Sequence, residues 1–314
     1  MHRIYLWFLV CLTLPLGLQA QQEPLFSQYR TNAFMVNPAV AGTGDAHQLR
    51  FAFRQQWVRF PGAPRTLSMT YHAPVDAKSG IGLMAFSDGV GPTVRSGLQL
   101  AYAFRAPVGL PGNMGQNYLS MGMGGKFMQY RFRAEQVYFQ DRSDAAIYEA
   151  ADGMTLGDVA FGAWFYNDRF FAGLSAPNLI QSGNPNLAGT ITGGVINRLY
   201  RHYFGMMGYR FQYESMAIEP SVLVRKVEAA PYQVEGTVKF YLADNHLMLG
   251  MSYRTDWLIT ALVGVEVRNL HFYYASDLML PQAYRGTIFG ATHELTLGLD
   301  LGATPEASDM YYRE

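Results

Sequence analysis

Between residues 294 and 301 the chain alternates without a break. Leu295, Leu297, Leu299 and Leu301 fall on one face of an extended strand, with Glu294, Thr296, Gly298 and Asp300 on the other. Residues 257–267 repeat the arrangement, setting Trp257, Ile259, Ala261, Val263, Val265 and Val267 against Thr260, Gly264 and Glu266. Residues 232–241 set Val234, Val238 and Phe240 against Glu235, Thr237 and Lys239. A helix would scatter these apolar positions around its circumference, so the period of two selects strands. Weaker versions cover 48–54, 65–73, 80–87, 94–104, 118–133, 158–166, 169–176, 202–211, 216–225, 246–253 and 270–277. Together they predict about fourteen strands.

The links between these runs alternate in length. Pro74-Val75-Asp76, Asn167-Asp168 and Ala243-Asp244-Asn245 carry tight-turn chemistry. Longer connections are expected at 87–93, 136–154, 177–201 and 278–291. Outer-membrane barrels have an even number of antiparallel strands, short periplasmic turns and long outer loops. The predicted fold is therefore all-β, an antiparallel transmembrane β-barrel whose apolar faces meet lipid and whose polar faces line the lumen. One barrel accounts for residues 48–302. Residues 21–47 precede it as an irregular segment without the alternating pattern, and 303–314 follow as a short polar tail.

Composition agrees with a membrane setting. Charged residues make up 15% of the chain, against about 25% in an ordinary soluble protein. Aromatic residues reach 14%, and there are 32 glycines. Past the N-terminus, no run of about 18 apolar residues offers a spanning helix. The 24 basic and 24 acidic residues argue against a general attraction to nucleic acid. Residues 1–20 read as a secretory signal: Arg3, an apolar run over 4–18 interrupted by Thr13, and Gln19-Ala20 before a cut at Gln21. Leu18 stands where a smaller residue is favoured for cleavage. Cys11, the only cysteine, lies within that signal, behind a Val10 too bulky for lipid attachment. The exported chain would then have no disulfide, thiolate metal site or cysteine nucleophile.

The search for catalytic chemistry gives little. Gly173-Leu174-Ser175-Ala176-Pro177 begins like a nucleophile elbow, but Pro177 replaces the closing glycine and the run reads as a strand. Gly122-Met123-Gly124-Gly125-Lys126 lacks phosphate-loop spacing and fits close backbone packing. The histidines have no paired metal-ligand spacing. No catalytic residue, metal or cofactor is therefore assigned. Lys126, Arg131, Arg210, Glu219, Arg225, Glu235, Lys239 and Glu266 interrupt apolar strands. On the lipid face a cation costs about 2–4 kcal/mol at mid-depth, so most of these groups should point inward or sit near a rim. Inside, they make either an ion-pair network that fills the lumen or a polar channel and binding surface. Trp57, Tyr71, Tyr102, Tyr118, Tyr130, Trp164, Tyr209 and Trp257 suit interfacial girdles.

The irregular N-terminal segment carries a family signature. Pro24-Leu25-Phe26-Ser27-Gln28-Tyr29, then Asn32, then Val36-Asn37-Pro38-Ala39-Val40-Ala41-Gly42-Thr43, resembles the opening of the PorP/SprF family. Arg54-Gln55-Gln56-Trp57-Val58 with Gly62-Ala63-Pro64-Arg65-Thr66 resembles that family's first hairpin. Further blocks follow in order: Asp88-Gly89-Val90-Gly91-Pro92, Phe171-Ala172-Gly173-Leu174-Ser175, Glu219-Pro220-Ser221, Leu249-Gly250-Met251-Ser252-Tyr253-Arg254 and His293-Glu294. Tyr273-Tyr274-Ala275-Ser276-Asp277 stands where relatives tend to have a Tyr-Ser-Tyr-Asp-like run.

The resemblance implies an outer-membrane protein of the type IX secretion system of Bacteroidota. It implies a non-enzymatic role in secretion, assembly or surface attachment of cargo, in some relatives gliding adhesins. The implied partners are outer-membrane lipid, other parts of that machinery and a cargo's C-terminal sorting domain. Residues 24–43 would fold into the lumen or periplasmic mouth, as a plug, as an edge offered to a partner, or as a structural cap. Phe26, Ser27, Gln28, Tyr29, Asn37, Pro38, Gly42, Arg54, Gln55, Gln56 and Trp57 are the candidate structural or partner-contact residues. Two alternatives remain: a porin-like solute channel, and a membrane-embedded lipid hydrolase using Ser175 with His202.

Overall fold

The computed structural model describes residues 27–29, 31–109, 116–133, 154–182, 199–228, 230–279 and 291–302. The expected signal, Phe26 and the tail at 303–314 lie outside them. Fifteen strand segments form one antiparallel sheet: β1 (His47–Gln55), β2 (Arg65–Pro74), β3 (Ser79–Val90), β4 (Thr93–Val108), β5 (Asn117–Phe132), β6 (Met154–Tyr166), β7 (Phe170–Ala176) and β8 (His202–Tyr209), then β9 (Phe211–Gln212), β10 (Met216–Val227), β11 (Gln233–Leu242), β12 (Leu247–Arg254), β13 (Leu258–Val267), β14 (Leu270–Met279) and β15 (Thr292–Leu301). Each strand pairs with its neighbours in sequence, and β1 pairs with β15 from His47–Leu301 to Gln55–His293. Strands β8 and β9 both lie against β10, interrupted only at Arg210, so they are one stave. The sheet is a closed barrel of fourteen strands.

The barrel is apolar outside and polar inside. In β15, Leu295 and Leu297 are 53% and 51% exposed, whereas Glu294 and Thr296 are 1% and 2% exposed. The same parity exposes Val263 and Val265 on β13 and Val238 and Phe240 on β11, while Thr260, Thr237 and Lys239 are buried. An apolar belt of this extent is untenable in water and belongs in lipid, where closure satisfies every ladder hydrogen bond. Among the described residues no helix is long and apolar enough to cross a membrane. Strands make the crossing.

The two ends differ. At one end the links are 75–78, 109–116, 167–169, 213–215, 243–246 and 268–269. At the other they include 56–64, 133–153, 177–201 and 280–291. Two expectations need correction. The connection at 87–93 is not long: β3 runs to Val90, and only Gly91 and Pro92 join it to β4. Asp88 looks like a loop residue but faces the lumen, where it accepts the Thr66 hydroxyl at 2.6 Å and pairs with Arg95. Tyr130 and Trp164 also leave the girdle, being 7% and 5% exposed on the luminal parity of β5 and β6.

Candidate functional site

The lumen holds the N-terminal segment. Its residues make two short 3-10 turns, Ala33–Met35 and Pro38–Val40, instead of a strand. Asn37 caps the second, its Oδ1 accepting the Ala39 N–H at 3.0 Å, and Pro38 occupies the first position, where its missing donor costs nothing. Backbone groups that such short turns leave open are met by the barrel wall. The Asn37 amide donates to the carbonyls of Ala163 and Leu174 at 3.0 and 3.3 Å. Ser175 Oγ donates to the Val36 carbonyl at 2.6 Å, and Ser120 Oγ to that of Ala39 at 2.7 Å. Arg105 donates to the Gly42 carbonyl at 2.5 Å. Each orphan carbonyl met in this way avoids a desolvation penalty of about 1–3 kcal/mol.

Packing matches the hydrogen bonding. Phe34 is fully buried and sits against Gly82 and the His72 ring. It belongs to an apolar cluster with Met84, Phe86, Trp164, Phe171 and Phe204, so this side of the lumen is a core. The wall is cut away where the segment passes. Gly42 has φ +70°, and a Cβ on it would lie 2.5 Å from the Gly80 Cα. A Cβ on Gly122 would strike the Ala39 backbone, and one on Gly162 the Asn37 side chain. The glycine run at 122–125, which looked superficially like a phosphate loop, is in part this cradle.

The opposite side of the lumen is ionic. Arg54 donates through Nη2 to Asp277 at 2.6 Å and through Nη1 to Glu294 at 2.9 Å, with all three side chains at most 3% exposed. The successive backbone N–H groups of Ser27 and Gln28 clamp the same Glu294 carboxylate at 2.7 and 3.1 Å. Ser27 Oγ donates to Asp277 at 2.7 Å and accepts from Arg54 at 2.5 Å, while Thr260 Oγ1 donates to Asp277 at 2.8 Å. Two buried carboxylates thus share one guanidinium, and the donors of the N-terminal segment supply the remaining satisfaction that such burial requires. Arg50 pairs with Asp300 at 2.5 Å, and Arg254 approaches Glu235 at 3.8 Å. Lys126, Glu219, Glu235 and Lys239 are all 2–3% exposed, inside the barrel.

Of the residues singled out in the sequence, Ser27, Gln28 and Arg54 meet in this anchor. Tyr29 lies beside it at a cavity lined also by Val36, Arg225, Glu235 and Arg254. Asn37, Pro38 and Gly42 hold the segment farther along. Gln55, Gln56 and Trp57 do not join the anchor. They shape the β1–β2 turn, where Gln56 N–H donates to Pro64 at 2.9 Å and Trp57 takes a positive φ of 43°. Sequence reasoning missed the two acids. Glu294 was visible as a polar position on an alternating strand and as half of the His293-Glu294 family block, and Asp277 as the end of a divergent block, but neither was marked as a site residue. Ser175 and His202, the hydrolase pair, have separate engagements: the Ser175 proton goes to Val36, and His202 Nδ1 lies 2.9 Å from the Tyr200 carbonyl.

Known proteins give a consistent placement. The family described as type IX secretion system membrane protein PorP/SprF matches residues 18–299. No curated protein matches the chain. Solved outer-membrane barrels resemble it at 8% identity. The Ralstonia pickettii toluene transporter TbuX has a TM-score of 0.49, covering 85% of this chain and 92% of its own. Omp33 of Acinetobacter baumannii has a TM-score of 0.42, with 82% and 99% covered. The siderophore receptor PirA of the same organism has a TM-score of 0.33, with 75% of this chain and only 43% of the receptor covered. At such identities and scores these likenesses say nothing about role. The family match, spanning nearly the whole barrel, does: this chain belongs to the PorP/SprF family and is an outer-membrane component of the type IX secretion system.

Proposed function

We propose that this barrel is a sealed, non-enzymatic platform that assists secretion or surface attachment of type IX cargo without passing it through its own lumen. The observation that carries the reading is the N-terminal segment stitched across the lumen by Asn37, Ser120, Ser175, Arg105 and the Arg54 cluster. A conduit needs a vacant lumen or a plug that leaves at low cost. This segment is bonded through its backbone and seated on glycines. The engagement of Ser175 with Val36 likewise supports a non-catalytic role. Its partners are other components of the machinery and a cargo's C-terminal sorting domain, met at the barrel's ends or in the membrane plane. Export by the signal in residues 1–20, in a Bacteroidota-type cell, completes the reading.

Deletion of the gene, with comparison of surface and secreted proteomes, tests it. The expected result is loss, retention or release of proteins sharing a type IX sorting domain. An unchanged proteome overturns the role.

A further inference from the structure

The lipid-facing surface is notched where β7, β8 and β10 meet. On these staves two cross-strand rows face outward: Leu174, Gly205 and Val224 in one, Ala172, Met207 and Val222 in the other. They line an apolar groove of about 440 Å³. Gly205 makes the gap, because a Cβ there would touch only the Leu174 side chain, at 3.4 Å. Leu174 and Met207, 69% and 50% exposed, stand proud around it.

The next row carries charge. Tyr203 and Lys226 pair across β8 and β10 on the same outward parity, two residues beyond Gly205 and Val224. They lie at the end with the long links, next to the connection 177–201. A lipid-facing cation is costly at mid-depth and cheap at the interface, and tyrosine favours the headgroup level. The Tyr203–Lys226 row therefore marks the headgroups, and the groove starts about 7 Å further in along the strand, where acyl chains begin. Lys226 Nζ donates to the Ala230 carbonyl at 2.5 Å and lies 4.7 Å from the Tyr232 ring centre. An ammonium carries three donors, so this rim contact does not exhaust it. Arg201 adds a second cation beside Tyr203, while Glu228 at this corner accepts from the Gln181 amide.

We infer that this groove binds one acyl chain of a phosphorylated lipid whose phosphate sits on Lys226. In outer-membrane barrels the long links face outward, so the lipid is that of the outer leaflet, the phosphorylated and multiply acylated glycolipid lipid A. A void in an apolar wall forfeits dispersion contacts and does not take up water. An acyl chain fills it, and the cation above selects an anionic head. The site depends on the outer-membrane assignment and on which end carries the long links, and is independent of any cargo role.

The full-length protein is extracted in mild detergent from outer membranes that contain lipid A, and lipid retained per barrel is counted by native mass spectrometry. After delipidation, purified lipid A and phosphatidylglycerol are added back in separate arms. Wild type is expected to retain lipid A and to take it up again in preference to phosphatidylglycerol. Gly205→Leu fills the groove and should lower retention about tenfold, and Lys226→Gln should lower it several-fold. Gly236→Leu, at an outward position of β11 with open space around its Cβ, should retain lipid A like wild type. Heat-modifiable migration checks that each variant is folded. Undiminished retention in folded Gly205→Leu or in Lys226→Gln overturns the site, and so does a wild type that holds no lipid. Equal or stronger uptake of phosphatidylglycerol overturns the assignment to lipid A. Should Gly205→Leu not fold, Lys226→Gln at the rim decides alone.

Discussion

Among single residues, the members of the buried luminal ion cluster cannot be changed one at a time without cost. Arg54 neutralises two carboxylates that are each 1% exposed at the side chain. Replacing it by methionine leaves Asp277 and Glu294 buried without a counter-charge, a change that costs about 3–5 kcal/mol in comparable buried pairs. Arg54→Met should therefore lower the denaturant midpoint, followed by tryptophan fluorescence in detergent. Adding Asp277→Asn and Glu294→Gln should restore much of the loss, because the triple variant buries no unpaired charge. Failure of the triple variant to recover would mean that Arg54 acts by shape alone. The glycines make a second contrast. Gly162→Val meets Asn37 and should expose residues 31–46 to protease. Gly125→Val, at a position with open space around its Cβ, should leave proteolysis unchanged.

At the scale of elements, strands and plug answer to different physics. Each strand is fixed by its alternation, so the lipid-facing parity can be tested one position at a time. Leu297→Arg places a cation in the apolar belt and should destabilise the barrel by about 2–4 kcal/mol if it lies near mid-depth. The measurement is a reversible unfolding titration from vesicles. No change would displace β15 from the lipid face. The plug is held by side chains from β4 to β7 and by the acids of β14 and β15, so it should resist an applied field. Wild-type protein in a planar bilayer is expected to show no steady conductance, whereas Arg54→Met combined with Gly122→Ile should show openings. A steady open level in the wild type would return the porin reading. The β3–β4 hairpin shows how an element is misread locally. Ser87, Asp88 and Gly89 have turn composition, yet Asp88 belongs to a strand because Arg95 and Thr66 lie across the ladder from it.

At the scale of the whole molecule, pairing of β1 with β15 closes the sheet and turns its polar face inward. What remains accessible is a lipid-facing belt and two rims of unlike character. Such a body suits a component that is held in the membrane and met at its rims. The luminal wall itself is not uniform. Around β3 to β8 an apolar cluster packs the turns of the N-terminal segment, with the Asp88–Arg95 pair and Lys126 also in this wall. Strands β1, β14 and β15 bring the acids and Arg54 that bind Ser27 and Gln28, beside a second apolar cluster on β10 to β14.

The alternation of residues such as Leu295–Leu301 and Val263–Val267 was enough to determine strands, a membrane barrel and about fourteen staves. Period two and a lipid solvent leave no other way to satisfy the backbone. The ordered signature blocks likewise pointed to the family and marked Ser27, Gln28 and Arg54. Only the tertiary structure decided that the segment from Ser27 to Ala46 crosses the lumen, that Asp277 and Glu294 anchor its start, and that it runs from the end with the long links to the end with the short ones. Those facts depend on contacts between residues some 240 to 267 positions apart. Alternation reports which way a side chain faces, but not which distant backbone will come to rest against it.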